Sequence, residues 1–145
     1  MPYRYTIDAD RQVIFEKAFG ALRDGELASL VRSKLEDPEF RPEFNVLCDF
    51  NEADMAAVSS EEIREVAELF RTDSERFAGG RWAIAVSSDL NFGLAQMFTK
   101  LAEFLPVEVR AFRDVTEAGA WLELSEKARF DFAHCAETWR NEVAS

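Results

Sequence analysis

The 145-residue chain has one histidine, His134, and two cysteines, Cys48 and Cys135. Two cysteines make no disulfide framework, so a reduced, cytoplasmic setting is expected. The lone imidazole has no sequence neighbour that would make it an obvious metal ligand, and it reads as an ordinary helix residue. No apolar run approaches the roughly 18 residues of a spanning helix, and no basic-then-apolar leader precedes the first expected strand. Neither a transmembrane segment nor a secretory signal is therefore expected. Catalytic signatures are missing as well: there is no GxxxxGKS/T loop, GxGxxG, HExxH, GxSxG or CxxC. The sequence names no catalytic residue, metal ligand or cofactor.

Basic residues are scarce. Seventeen Lys and Arg face 28 Asp and Glu, a formal net charge of −11. Arg41, Arg64, Arg71, Arg76, Arg81, Arg110 and Arg113 are scattered, with no compact basic run among them. Such a surface repels phosphate backbones, so nucleic acid is not an expected partner. The acidic balance favours solubility or a basic protein partner.

What is present is a folding sequence. At 48% hydrophobic and 31% charged, the chain has the composition of one globular domain able to bury a real core. "YRYTI" and "QVIFEKAFG", joined by "DADR", predict a hairpin. Leu27, Leu30, Val31 and Leu35 recur at helical spacing, with Asp24 as the expected cap and Asp37–Pro38 as the stop. "FNVLCDF" reads as a central strand entering an acidic loop. A second helix follows from Ser60, with Ile63, Val66, Ala67, Phe70 and Phe77 on one side. "WAIAV" predicts the fourth strand. The third helix follows with Leu90, Leu94, Met97, Phe98, Leu101 and Leu105 as its buried stripe, and Pro106 breaks it. "VEVRAF" and "VTEAGAWLEL" supply the fifth strand and fourth helix. Strands alternating with helices require right-handed parallel crossovers, so the expected product is an α/β sandwich with one antiparallel strand at its start. In the final segment Ala128, Phe132, Cys135, Trp139 and Val143 step by three or four, an amphipathic helix. It is expected to cover its own sheet or to dock on a second copy or another protein. The domain reading is 1–124 for the α/β unit and 125–145 for this helical arm.

Two helix starts stand out. With Ser59 as N-cap, Glu62 falls at the third helical position, which predicts a capping box in which serine and glutamate exchange bonds with the backbone. A phosphate at Ser59 or Ser60 would also meet free amides and the helix dipole. Ser87, Ser88 and Asp89 precede the third helix, where Gly93 would allow backbone or ligand to come close. Both starts follow parallel strands and should share one end of the sheet. The candidate rim for a ligand or partner is therefore Asp49, Asp54, Ser87, Ser88, Asp89, Phe92 and Gly93. Asp49, Glu52 and Asp54 match no calcium-loop spacing and read as solvated loop acids. Phe92, Met97 and Phe98 read first as core, with an apolar pocket as the other use. Cys48, in a core strand, behaves as a small hydrophobe. An enzyme would need Cys48 or Asp49 facing a cleft with a perturbed pKa.

The hairpin, "FNVLCDF", the serine-capped helix, "WAIAV", "DLNFGLAQMF", "VEVRAF" and "EAGAWL" together resemble the SpoIIAA-like group of STAS domains, over about residues 3–122. This group is similar to the anti-sigma factor antagonists of bacteria. The resemblance implies a mixed, mostly parallel five-stranded sheet with helices, followed here by the amphipathic arm. It also implies a non-enzymatic regulatory or protein-interaction role. In the antagonists an Asp-Ser-Ser-Gly run opens the second helix, and a partner kinase phosphorylates its serine. The matching stretch here is Val58, Ser59, Ser60 and Glu61, without the aspartate or the glycine. The same resemblance leaves room for a carrier or sensor of a small apolar or anionic, lipid-like ligand.

Overall fold

The structure, a computed structural model, describes residues 3–72 and 79–144. The chain runs β1 (Tyr3–Asp8), β2 (Val13–Ala21), α1 (Glu26–Glu36), β3 (Asn45–Asp54), α2 (Ser60–Thr72), β4 (Arg81–Ala85), α3 (Asp89–Ala102), β5 (Glu108–Phe112), α4 (Val115–Trp121) and α5 (Glu126–Ala144). The five strands form one sheet in the order β1-β2-β3-β4-β5. Only β1 and β2 are antiparallel; the other neighbours are parallel. This is the mixed, mostly parallel α/β sandwich expected from the alternation of periods.

Side chains alternate across a strand, and β2 uses both sides fully. Ile14, Glu16 and Ala18 join the core under α1, α2 and α3, whereas Val13 and Phe15 join the one under α4 and α5. Every residue from Val13 to Phe19 is buried. A strand covered on both faces reads as a continuous apolar run rather than an alternation.

On the second face Phe132 of α5 stacks on Phe15 at 4.9 Å and Trp139 stacks on it at 5.4 Å. Ala128, Phe132 and Ala136 are buried there, with Cys135 and Trp139 packed beside them. The amphipathic stripe thus lies on the chain's own sheet. Arg11–Asp131 at 2.7 Å and Arg4–Glu142 at 3.7 Å hold the same helix to the opening hairpin. Exposed His134 is an ordinary residue of α5.

Three local expectations are corrected. First, β3 does not give way to an acidic loop after Phe50. It continues to Asp54, because a register shift between Lys17 and Phe19 lets Glu52, Ala53 and Asp54 go on pairing with β2. Second, α1 is not capped by Asp24. Its N-cap is Gly25 at φ 85°, with no side-chain bond of its own. Third, the buried line of α3 is Asn91, Ala95, Phe98 and Ala102, while Leu90 is 55% exposed. Small alanines let the helix lie close, and Leu94, Met97 and Leu101 flank that line half-buried. Phe77, expected on the second helix, lies outside the described residues.

Candidate functional site

The serine-capped rim forms at the carboxyl ends of β3 and β4. Ser59 Oγ accepts from the Glu62 amide at 3.1 Å, and the Ser59 carbonyl accepts from Ile63, so Ser59 starts α2 as expected. The reciprocal half of the capping box is absent. Glu62, only 3% exposed, reaches across to α1, where its two oxygens accept from Gly25 N at 3.0 Å and Ala28 N at 3.2 Å. The physical reason is the uncapped start of α1. A carboxylate bonded to two free amides at a positive helix end is stabilised more than one bonded to a single exposed amide. Ser60 is exposed, and its hydroxyl has no partner among the described residues.

The second helix start is anchored to the end of β3 through Asn91. Ser88 Oγ accepts from Asn91 N at 3.1 Å, and the buried Asn91 amide donates to Ala53 O at 2.9 Å. That bond ties the first turn of α3 to the end of β3. Around it Arg113 gathers Ser87, Asp89 and Phe92: it pairs with Asp89 at 2.8 Å, donates to Ser87 O at 3.2 Å and lies 4.0 Å from the Phe92 ring centre. Asp54, also exposed, accepts from Ala56 N at 2.9 Å and shapes the loop leading to Ser59. Gly93 is exposed with open space above it, so no close approach requires glycine there. Arg113 had looked like one more scattered base. Its spacing of 24 residues from Asp89 leaves no local signal.

Asp49 is not part of this rim. It is 6% exposed on the second face of the sheet, directly opposite Lys17 in the β2–β3 register. Lys17 Nζ stands 2.7 Å from Asp49 and 2.9 Å from Glu52. Glu52 also accepts from Arg140 Nε of α5 at 2.8 Å. The Arg140 guanidinium, followed by Lys17, pulls the Glu52 carboxyl down to about 2. By sequence alone Asp49 and Glu52 read as solvated loop acids; in the fold they share a counter-charge. Lys17, their shared counter-charge, lies in a strand 32 residues from Asp49.

On the first face a different polar group is sealed in the core. Glu16 accepts from Tyr3 OH at 2.6 Å, from Cys48 Sγ at 2.7 Å and from Lys34 Nζ. Lys34 is fully buried, with Nζ 4.2 Å from the Trp82 ring centre. Burial, and then the Glu16 charge, push the Cys48 thiol well above its usual range. A thiol so disposed remains protonated and is a poor nucleophile. Beside these groups and α3 lies a cavity of about 50 Å³, lined by Cys48, Phe70, Trp82, Leu94 and Phe98 among others. It has room for a few waters. Even a benzene-sized guest occupies a cavity of about 150 Å³, so this one is too small for a lipid-like ligand.

Among the described residues no group of three or more His, Cys, Asp or Glu is placed to hold a metal ion, and no helix is long and apolar enough to cross a membrane. The sequence matches no family model, and no curated protein matches it. Its structure is similar to that of an uncharacterized protein from the DUF3478 family with a SpoIIAA-like fold, from Shewanella loihica PV-4. The match has a TM-score of 0.52 at 23% identity and covers 83% of this chain and 93% of that one. The fold is SpoIIAA-like. Ser59 caps α2 and Ser60 is its first residue.

Proposed function

We propose that this protein is a non-enzymatic, cytoplasmic regulatory module of the STAS type, which engages a protein partner through the rim formed by the starts of α2 and α3. The observation that carries this reading is the pairing of an engaged serine with a free one. Ser59 is occupied as the helix cap, whereas the Ser60 hydroxyl is exposed and unpartnered among the described residues. Because Glu62 is turned inward to α1, one acid that would oppose a phosphate is removed from the rim. A phosphate on Ser60 would lie in the first turn of α2, at its positive end, and would change the charge of the rim without breaking the Ser59 cap.

The test is affinity capture from the native host's lysate, combined with native mass spectrometry of the untagged protein. A partner that binds wild type and Ser60→Ala but is released by Ser60→Glu is expected, as is a covalent phosphate on Ser60 in part of the population. A protein without phosphate, whose captured partners are the same for wild type and Ser60→Glu, would overturn the switch. If no partner at all is sensitive to changes at Ser60, Asp89 or Arg113, the rim is not the interface.

A further inference from the structure

The sheet ends at β5, and the outer edge of that strand is open. Glu108 N donates to Gly80 O at 3.3 Å, and Phe112 O accepts from Val86 N at 2.9 Å. Glu108, Arg110 and Phe112 therefore turn their backbone groups to β4. Alternation along the strand turns the N–H and C=O of Val107, Val109 and Ala111 outward, where they meet no partner among the described residues. No residue of β5 is buried, and a groove of about 400 Å³, lined by Ala102, Leu105, Val107 and Val109 among others, runs beside it. A row of unpaired N–H and C=O groups is a template for a further strand.

The side chains decide which strand fits. Val109 and Ala111 pack against the first core, so Glu108 and Arg110 lie on the second face. The Arg110 guanidinium is 5.8 Å from the Trp121 ring centre and has no ion pair among the described residues. The Glu108 side chain is 64% exposed, with Arg81 at 3.5 Å. A second β5, laid antiparallel about a two-fold axis, can be centred on Glu108, Val109 or Arg110. Centred on Glu108 it sets two carboxylates face to face, and centred on Arg110 two guanidiniums. Centred on Val109, it sets Glu108 of each copy opposite Arg110 of the other, on both sides of the axis. This is also the register in which all three outward residues are paired. Val109 exchanges both bonds with its own counterpart, and Val107 does so with Ala111. At the other edge of the sheet the charges of β1 are already engaged, Arg4 by Glu142 and Asp8 by Arg11.

We infer that two copies of this chain pair β5 to β5, antiparallel about Val109, and join their sheets into one. The interface is isologous, so a single complementary pair of charges is used twice. It does not depend on the serine rim.

The test is sedimentation equilibrium of the full chain from micromolar to submillimolar concentration, with amide hydrogen exchange. A mass rising from 16.5 kDa towards twice that value is expected, with the Val109 amide gaining protection as the mass rises. Val109→Pro removes an N–H that bonds nothing within the chain, and should raise the dimer dissociation constant at least tenfold. Glu108→Arg and Arg110→Glu should each do the same, because each sets like charges opposite one another. Mixed in equal amounts, these two variants should form a heterodimer, since each supplies the charge that the other lacks. Should a charge variant fail to fold, Val109→Pro and the concentration dependence of Val109 exchange in wild type decide the matter. A wild type that stays monomeric would overturn the proposal, even where the edge accepts a strand of another protein. So would a dimer indifferent to Val109→Pro, or two folded charge variants that do not pair when mixed.

Discussion

Glu16 and Lys17 are consecutive residues of one strand, and each is the centre of a different ionic group on opposite faces of the sheet. The Glu16 group lies beneath three helices; Lys34, Tyr3 and Cys48 complete it, and the two charged side chains are 0% and 3% exposed. The Lys17 group lies beneath two helices and opens outward through Glu52 and Arg140, whose side chains are 39% and 48% exposed. A charge in a sealed core is kept only by a complete set of partners, because losing one leaves another without water or counter-charge. The outward group is screened by solvent at its edge and tolerates loss there. The same strand therefore carries a stability-critical ion pair and an adjustable one.

The contrast can be tested by substitution. Lys34→Met should cost the most, about 3–5 kcal/mol in denaturant unfolding, because Glu16 would be left in the core without its counter-charge. Replacing Glu16 by Leu in the same background should return much of that loss, and an additive double variant would refute the pairing. On the other face, Phe132→Ala should cost about 3 kcal/mol through the lost stack on Phe15. An unchanged unfolding midpoint would show that α5 does not pack there in solution. Glu62→Ala should cost about 2 kcal/mol by freeing two α1 amides, with faster amide hydrogen exchange at Gly25 and Ala28 as its local signature. Ser59→Ala should cost about 1 kcal/mol. Arg140→Ala, at the exposed end of the second group, should cost less than about 1 kcal/mol at moderate salt.

Acid should distinguish the faces by a different route. Glu52 titrates near 2 in the folded chain against an ordinary value of 4.5. A folded value below the unfolded one means that its contribution is complete above about pH 4.5 and is lost as pH falls through about 2. In the Arg140→Ala variant, which lacks the main cause of the depression, the contribution should be smaller and its loss complete at a higher pH. Identical acid-unfolding curves for wild type and variant would remove Arg140 from the account.

The order of elements was legible because the hydrophobic period changes at each boundary and Gly or Pro marks four of the nine connections. The amphipathic spacing of Ala128, Phe132 and Trp139 announced a helix that needed a surface. What could not be read is what joins distant residues. The carboxylate of Glu62 was assigned to its own helix by a local motif, yet it caps a helix whose start lies 37 residues earlier. The Lys34–Glu16 and Lys17–Asp49 pairs span 18 and 32 residues. "DFNEAD" has the composition of a loop, and it stays in the sheet because a register shift sets two of its own residues against one of β2. The α3 stripe was placed along its leucines because hydrophobicity scales rank leucine above alanine, whereas close packing put the alanines at the centre.

The adjacency of Glu16 and Lys17 also guards the alignment of β2. A slip by one residue turns every side chain of a strand to the opposite face. Slipped one way, Lys17 would take the place of Glu16 beside Lys34, and Asp49 would face Ala18. Slipped the other way, Glu16 would sit against Asp49 and Glu52, and Lys34 would face Phe15. Either error sets like charges together and strands a third charge without a counterpart. The apolar residues of this strand, buried on both faces, specify its alignment only loosely, and two neighbouring letters of opposite sign act as its checksum.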